Sequence, residues 1–168
     1  FPHIEMTAIG QDFSSRLDMP ANISPTRRLF FYPGSSIGNF TPEEARAFLR
    51  RARAQCDIDG GLLIGIDLLK DEQTLSDAYD DALGVTAAFN LNVLRHVNQL
   101  LGADFDVRGW RHQAFFNRNE SRIEMHLEAL RDMNVRWPGG ARSFARGDCI
   151  HTENSYKYRK SAAIGLLE

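Results

Sequence analysis

Three groups of side chains in this sequence are suited to gripping a polar ligand. The first lies in Phe31-Tyr32-Pro33-Gly34-Ser35-Ser36-Ile37-Gly38-Asn39-Phe40. This stretch closes a short apolar strand and runs into Thr41-Pro42-Glu43-Glu44, a helix start with Thr at the N-cap, Pro at the first helical position and acids in the first turn. A glycine-bearing loop at the carboxyl end of a strand is where open α/β sheets bind ligands. A plain strand-to-helix turn is the alternative, with Asn39 capping the helix or adopting a left-handed conformation. The second group is Glu153 and Ser155, which share one face of a strand at i and i+2. A carboxylate accepts hydrogen bonds, and a hydroxyl donates or accepts. The alternative here is a solvent-facing strand. The third is Tyr79, whose phenol is a neutral donor suited to an anion in a partly buried site. A ring simply packed into the protein is the alternative reading.

Other residues with chemical potential are scattered. His96, His112, His126 and His151 form no metal-ligand spacing and read as structural or surface histidines. Cys56 and Cys149 are far apart and read as reduced cysteines of a cytoplasmic protein. Asp67 and Lys70 end an apolar run and are assigned a structural role. The formal net charge of −2 carries no basic excess for nucleic acid. The run Arg50-Arg51-Ala52-Arg53 reads as a solvated helix face. No apolar run is long enough to span a bilayer and no signal peptide is visible, so no membrane partner is expected.

The elements that must position these groups follow from periodicity. Ile4 to Ile9 alternates loosely as a short strand, and 14–25 is loop. Arg28 to Tyr32 is a strand. Pro42 to Gln55 is a helix with Ala45, Phe48, Leu49 and Ala52 on one face. Leu62 to Leu69 is almost wholly apolar, as a central parallel strand would be. Strand, helix and strand make a βαβ unit. Beyond it, 71–82 is helix or ordered loop, and Val85 to Leu101 is a strong helix after Gly84. Trp110 to Asn117, Ser121 to Leu130, Met133 to Trp137 and Phe144 to Glu153 read as antiparallel strands, with Pro138-Gly139-Gly140 as a turn. The final residues, 161–168, look like the start of a helix.

Five motifs occur in one order: PGSSIGNF, GLLIGIDLLKD, AYDDALGVTAAFNLNVL, RIEMHL and TENSYKY. Together, from about Gly10 to Tyr158, they resemble the histidine-specific, S-adenosylmethionine-dependent methyltransferases, a family that includes the enzyme making trimethylated histidine (hercynine) for ergothioneine. The resemblance implies an α/β fold, a partial Rossmann-like class I methyltransferase sheet with an inserted α+β substrate-binding lobe. The implied division is 1–68 for the Rossmann-like part, 69–155 for the lobe and 156–168 for the return. It also implies that the chain is an internal fragment, inactive alone, lacking the glycine-rich cofactor loop and able to self-associate through an exposed sheet edge.

The same resemblance implies the roles. Asn39 and Gly34 meet the α-amine of the amino-acid substrate, and Tyr79 its carboxylate. Glu153 and Ser155 read the two imidazole nitrogens, and Met125 lines the ring pocket, which is expected in the cleft between the two lobes. Asp12 accepts from the adenine amine of S-adenosyl-L-methionine, and Phe13 packs on the adenine. A neutral amide at Asn39 orients an amine lone pair without fixing it as an ammonium, and no general base stands out. Related members that act on tryptophan-type amines, and an incompetent binding fragment, are the alternatives. The Glu153–Ser155 pair argues for imidazole, because an indole offers one N–H only.

Overall fold

The computed structural model describes residues 3–168. The chain is mixed α/β and divides into two compact units, residues up to Ile66 with Lys160–Glu168, and Asp67–Arg159.

In the first unit β1 (Leu29–Tyr32) pairs in parallel with β2 (Gly61–Ile64), Leu29 opposite Gly61 and Tyr32 opposite Ile64. Between them runs α1 (Pro42–Ala54). Its start is a full capping box: the Thr41 hydroxyl accepts from Glu44 N, and Glu44 Oε2 accepts from Thr41 N at 2.8 Å. The buried face of α1 is Ala45, Phe48, Leu49 and Ala52, the face that the periodicity specifies. Phe48 anchors an aromatic cluster with Tyr32 (centroids 4.7 Å apart), Phe40 (5.9 Å) and Phe13 (6.1 Å). Helix α4 (Lys160–Leu167) packs against α1 and buries Ala163 and Leu166.

Two expectations fail in this unit. Residues 4–9 form no strand; they are exposed, and among the described residues no neighbour supplies the ladder that would satisfy their backbone. The strand expected over Leu62 to Leu69 stops at Ile64. Its partner β1 ends at Tyr32 and is followed by Pro33, which has no N–H to continue the ladder. Gly65 N makes the last bond, to Tyr32 O at 3.0 Å.

The second unit is built on an antiparallel sheet ordered β3 (Trp110–Asn117), β4 (Arg122–Ala129), β7 (Cys149–Tyr156). A hairpin of β5 (Met133–Trp137) and β6 (Gly140–Phe144) accompanies it. Helices α2 (Glu72–Tyr79) and α3 (Val85–Leu101) pack on the sheet. Strand β4 alternates strictly: Ile123, Met125, Leu127 and Ala129 are buried among apolar neighbours, while Glu124, His126 and Glu128 point to the other face. One apolar cluster centres on Leu94, Trp110, Leu127 and Phe144, and another on Leu75, Ile123 and Met125.

The single strand expected over Phe144 to Glu153 is two strands. The chain turns at 145–148, where Gly147 takes φ 91° and the Asp148 carboxylate accepts from Ala145 N at 2.9 Å. Strand β7 then carries a bulge. Met125 lies opposite Glu153, yet His126 lies opposite His151, so Thr152 is an extra residue, and its hydroxyl donates to Met125 O at 2.9 Å. A bulge shifts the face on which the following residues project. Glu153 therefore shares the Met125 face, and His151 shares the His126 face.

Candidate functional site

Each unit holds part of the residue set expected from sequence, and each is described within its own unit. In the first, the loop after β1 takes its left-handed turns at Gly34 (φ 74°) and Ser35 (φ 59°). A short 3-10 turn over Ser36–Asn39 follows. Asn39 is exposed and does not have a positive φ, and the helix cap belongs to Thr41. Both structural alternatives for Asn39 are thereby removed, and its amide faces solvent at the carboxyl end of β1. The Gly34 backbone N lies only 3.2 Å from where a Cβ on Gly65 would sit, so the loop seats closely on the end of β2.

Asp12 and Phe13 precede this loop in sequence. The Asp12 carboxylate accepts from Ser14 N at 3.0 Å, and its hydrogen bonds to Ser14 and Ser15 pull its pKa below the usual carboxylate range. Phe13 keeps part of its ring exposed while packing edge-on against Tyr32 and Phe48. An exposed carboxylate acceptor next to a partly exposed ring offers what the exocyclic N–H donors and flat face of an adenine need, so these residues are compatible with that group. A cavity of about 600 Å³ in the same unit, lined by Arg46, Arg50, Arg53, Leu49, Leu62 and Leu166, lies at the amino end of β2. That is the opposite end of the parallel strands from the Asn39 loop.

In the second unit Tyr79, Met125, Glu153 and Ser155 come together. Tyr79 ends α2. Its carbonyl accepts from His112 Nε2 at 2.8 Å, and His112 Nδ1 lies 2.9 Å from Asn90 Nδ2. A carbonyl can only accept, so Nε2 carries the proton and Nδ1 receives the Asn90 amide: the ring is the neutral Nε2–H tautomer. His112 and Asn90 are both buried and fix where α2 ends. Just beyond, Asp81 accepts from Thr86 N (2.8 Å) and Val85 N (3.0 Å). These bonds pull its pKa down to about 2 and supply the N-terminal cap that Gly84 cannot.

The Tyr79 hydroxyl lies 2.7 Å from Ser155 Oγ. Lys157 Nζ reaches both, at 2.7 Å from the phenol and 2.9 Å from the serine, and also Asp67 Oδ2 at 3.1 Å. The Lys157 side chain is 1% exposed. On Asp67, burial works upward but the bonds from Lys70 and Lys157 outweigh it and lower the pKa. Glu153, on the same strand face, is half-buried. Burial pushes its carboxyl pKa up and the Lys157 charge offsets only part of this; no hydrogen bond among the described residues relieves the carboxylate. Met125, its cross-strand neighbour, is buried with Leu75 and Ile123, and Tyr79 packs against that cluster.

Lys157, Asn90 and His112 were not singled out from sequence as parts of a site. Lys157 continues the Glu153, Ser155 alternation by one step, which was the available signal. Asn90 inside an apolar helix was another, because a buried amide needs a partner.

The opposite sheet face holds a different polar group. Glu124 accepts from Arg122 (2.7 Å), Asn117 (2.9 Å) and His126 (3.1 Å), and Arg122 donates to the Tyr156 hydroxyl at 2.6 Å. Burial raises the Glu124 pKa, but these bonds outweigh it and hold it at about 2. Donor atoms of Glu124, His126 and His151 lie within 4.8 Å of one another. The two rings stack 4.5 Å apart at 8°, so their lone pairs run side by side instead of converging, and Arg122 already neutralises the acid.

Among the described residues no helix is long and apolar enough to cross a membrane. The model of the "Histidine-specific methyltransferase, SAM-dependent" family matches residues 1–168. Histidine N-alpha-methyltransferase of Mycolicibacterium smegmatis is 41% identical over 169 residues, covering 99% of this chain and 52% of that protein. Its namesake in Mycobacterium tuberculosis is 42% identical, covering 95% and 50%. Ergothioneine biosynthesis protein 1 of Neurospora crassa is 33% identical, covering 89% and 17%. The chain thus spans about half the length of the first two relatives or less of the third, and it belongs to the family of histidine-specific, SAM-dependent methyltransferases.

Proposed function

We propose that the full-length protein methylates the α-amino group of L-histidine, up to trimethylhistidine, with S-adenosylmethionine as donor. The observation that carries this reading is the half-buried Glu153 carboxylate, unrelieved by any hydrogen bond among the described residues, on the strand face of Ser155, whose hydroxyl meets that of Tyr79. A carboxylate in that state gains most from a ligand N–H. An imidazole supplies one there, and its second nitrogen can meet Ser155. Tyr79 donates to the substrate carboxylate, and Met125 closes the apolar side of the ring. Asn39, with Gly34 opening its loop, accepts from the amine. Asp12 and Phe13 hold the adenine. The first unit is read as part of a Rossmann-like sheet and the second as the lobe inserted into it.

S-adenosylmethionine supplies an electrophilic methyl carbon on sulfur. Transfer would make an N–C bond at the expense of the C–S bond, the bonding pair leaving on sulfur; the first two transfers would each release an amine proton to water, and the third, to a tertiary amine, would release none. The α-amine of a peptide titrates at about pH 8 and that of a free amino acid higher, so at neutral pH the reacting nitrogen is mostly protonated and must lose a proton to expose its lone pair. The task left to the protein is to hold that lone pair in line. A neutral Asn39 amide does so while tolerating an amine that loses N–H donors with each methyl.

The test is mass spectrometry of products from the full-length protein with S-adenosylmethionine and each amino acid separately. Stepwise methylation of histidine alone is expected. Methylation of another amine, or none, overturns the assignment.

A further inference from the structure

The Lys157 ammonium has three hydrogens and no acceptor capacity. Its three oxygen neighbours are Asp67, Tyr79 and Ser155. One hydrogen lies between the two hydroxyls, which are 2.7 Å apart. The pair therefore has one hydrogen and one lone pair left for a ligand. If Ser155 donates to Tyr79, the phenol keeps the outward hydrogen and the serine keeps the outward lone pair. If Tyr79 donates, the two roles swap.

We propose that Lys157 is a positioning residue that locks this exchange, so that a ligand carboxylate taking the Tyr79 hydrogen leaves Ser155 as an acceptor and the histidine ring binds as the doubly protonated imidazolium. Both ring N–H groups then have acceptors, Glu153 and Ser155. The inference rests on the placement of the substrate proposed above.

The surroundings of the ammonium support a fixed cation. Asp67, itself bonded to Lys70, stands at the start of this unit. Tyr79 comes from α2, with the neutral His112 of β3 on its carbonyl. Glu153 stands on β7 itself. The facing residues of β4, Ile123 and Met125, are apolar. The ring of Tyr79 also lies under the ammonium, 4.6 Å from centroid to Nζ.

The experiment is 15N NMR of ring-labelled L-histidine bound to the full-length protein at about pH 7.5, roughly one unit above the ordinary histidine pKa. Both ring nitrogens are expected at protonated shifts. In Lys157→Met the bound ring should return to one protonated and one bare nitrogen, with affinity weakened about tenfold. A bare nitrogen in the unmutated protein overturns the proposal while leaving histidine as the ligand. A ring that stays doubly protonated in Lys157→Met removes Lys157 from the role. If histidine does not bind, or Tyr79→Phe and Ser155→Ala both bind it as the parent does, the substrate placement itself fails. Should Lys157→Met not fold, the shifts in the unmutated protein still decide.

Discussion

The two faces of the β3–β4–β7 sheet carry similar inventories of polar side chains and use them differently. On one face Glu124 is saturated by Arg122, Asn117 and His126, and Arg122 in turn holds Tyr156. The Glu124 charge is thus met within the protein, by Arg122, Asn117 and His126 together. On the other face Glu153 is half-buried without a relieving hydrogen bond among the described residues, and two hydroxyls are organised around a buried lysine. A closed network stabilises, whereas an open one costs stability and waits for a partner. The pKa directions make the same distinction: the Glu124 carboxyl is held at about 2, while that of Glu153 is raised.

The largest expected effect breaks the closed face. Glu124→Gln should cost roughly 3 kcal/mol of folding stability at neutral pH, because it removes a buried charge and strips the half-buried Arg122 guanidinium of its partner. Histidine affinity should stay unchanged. A depressed carboxyl contributes fully above its unfolded value and loses that contribution as pH falls through about 2. The difference between parent and variant, followed by chemical denaturation, should therefore shrink below about pH 4.

Next comes the open face. Glu153→Ala should weaken histidine binding about 30-fold, or about 2 kcal/mol, in calorimetry, with little change in melting temperature. Tyr79→Phe should weaken it about fivefold, through loss of one neutral donor. The smallest effect has the opposite sign on stability. Glu153→Gln should raise the melting temperature slightly near neutral pH. A raised carboxyl opposes folding above its folded value and is neutral once both states are protonated, so the gain should vanish below the ordinary carboxylate range. A fall in stability for Glu153→Gln at neutral pH would contradict the open-face description.

Much of the fold was legible in the sequence because local rules agreed with the global packing. The buried stripe of α1 and its Thr41 cap, the bounds of α3 and the alternation of β4 each follow from periodicity and end signals. The failures share a cause, since each depended on a neighbour that the local pattern does not contain. The apolar run after Gly61 could not reveal that Pro33 would end its partner strand. The bulge at Thr152, which sends Glu153 and His151 to opposite faces, has no local signature. Of the residues proposed to bind substrate, Glu153 and Ser155 were visible as an alternating pair, and family motifs pointed to Asn39 and Tyr79. Lys157 was not, because a lysine is buried only when partners distant in sequence, here Asp67 and Tyr79, make it tolerable.

The comparison also separates the two units. The two-stranded parallel sheet of the first leaves Leu29, Phe31 and Leu63 exposed, whereas parallel sheets are normally covered on both faces. The 168-residue chain alone should therefore self-associate, and sedimentation showing a clean monomer at all concentrations would contradict this.

The central claim is that the open face of the second unit reads an imidazole through Glu153. Its most direct test is calorimetric titration of the full-length protein with L-histidine and with L-phenylalanine, which keeps a ring of similar width but carries no ring N–H. A site that leaves a carboxylate unpaired rejects such an analogue strongly, so the account predicts at least about a 100-fold preference for histidine, and its collapse in Glu153→Ala. Equal affinities, or a preference that survives Glu153→Ala, would contradict it.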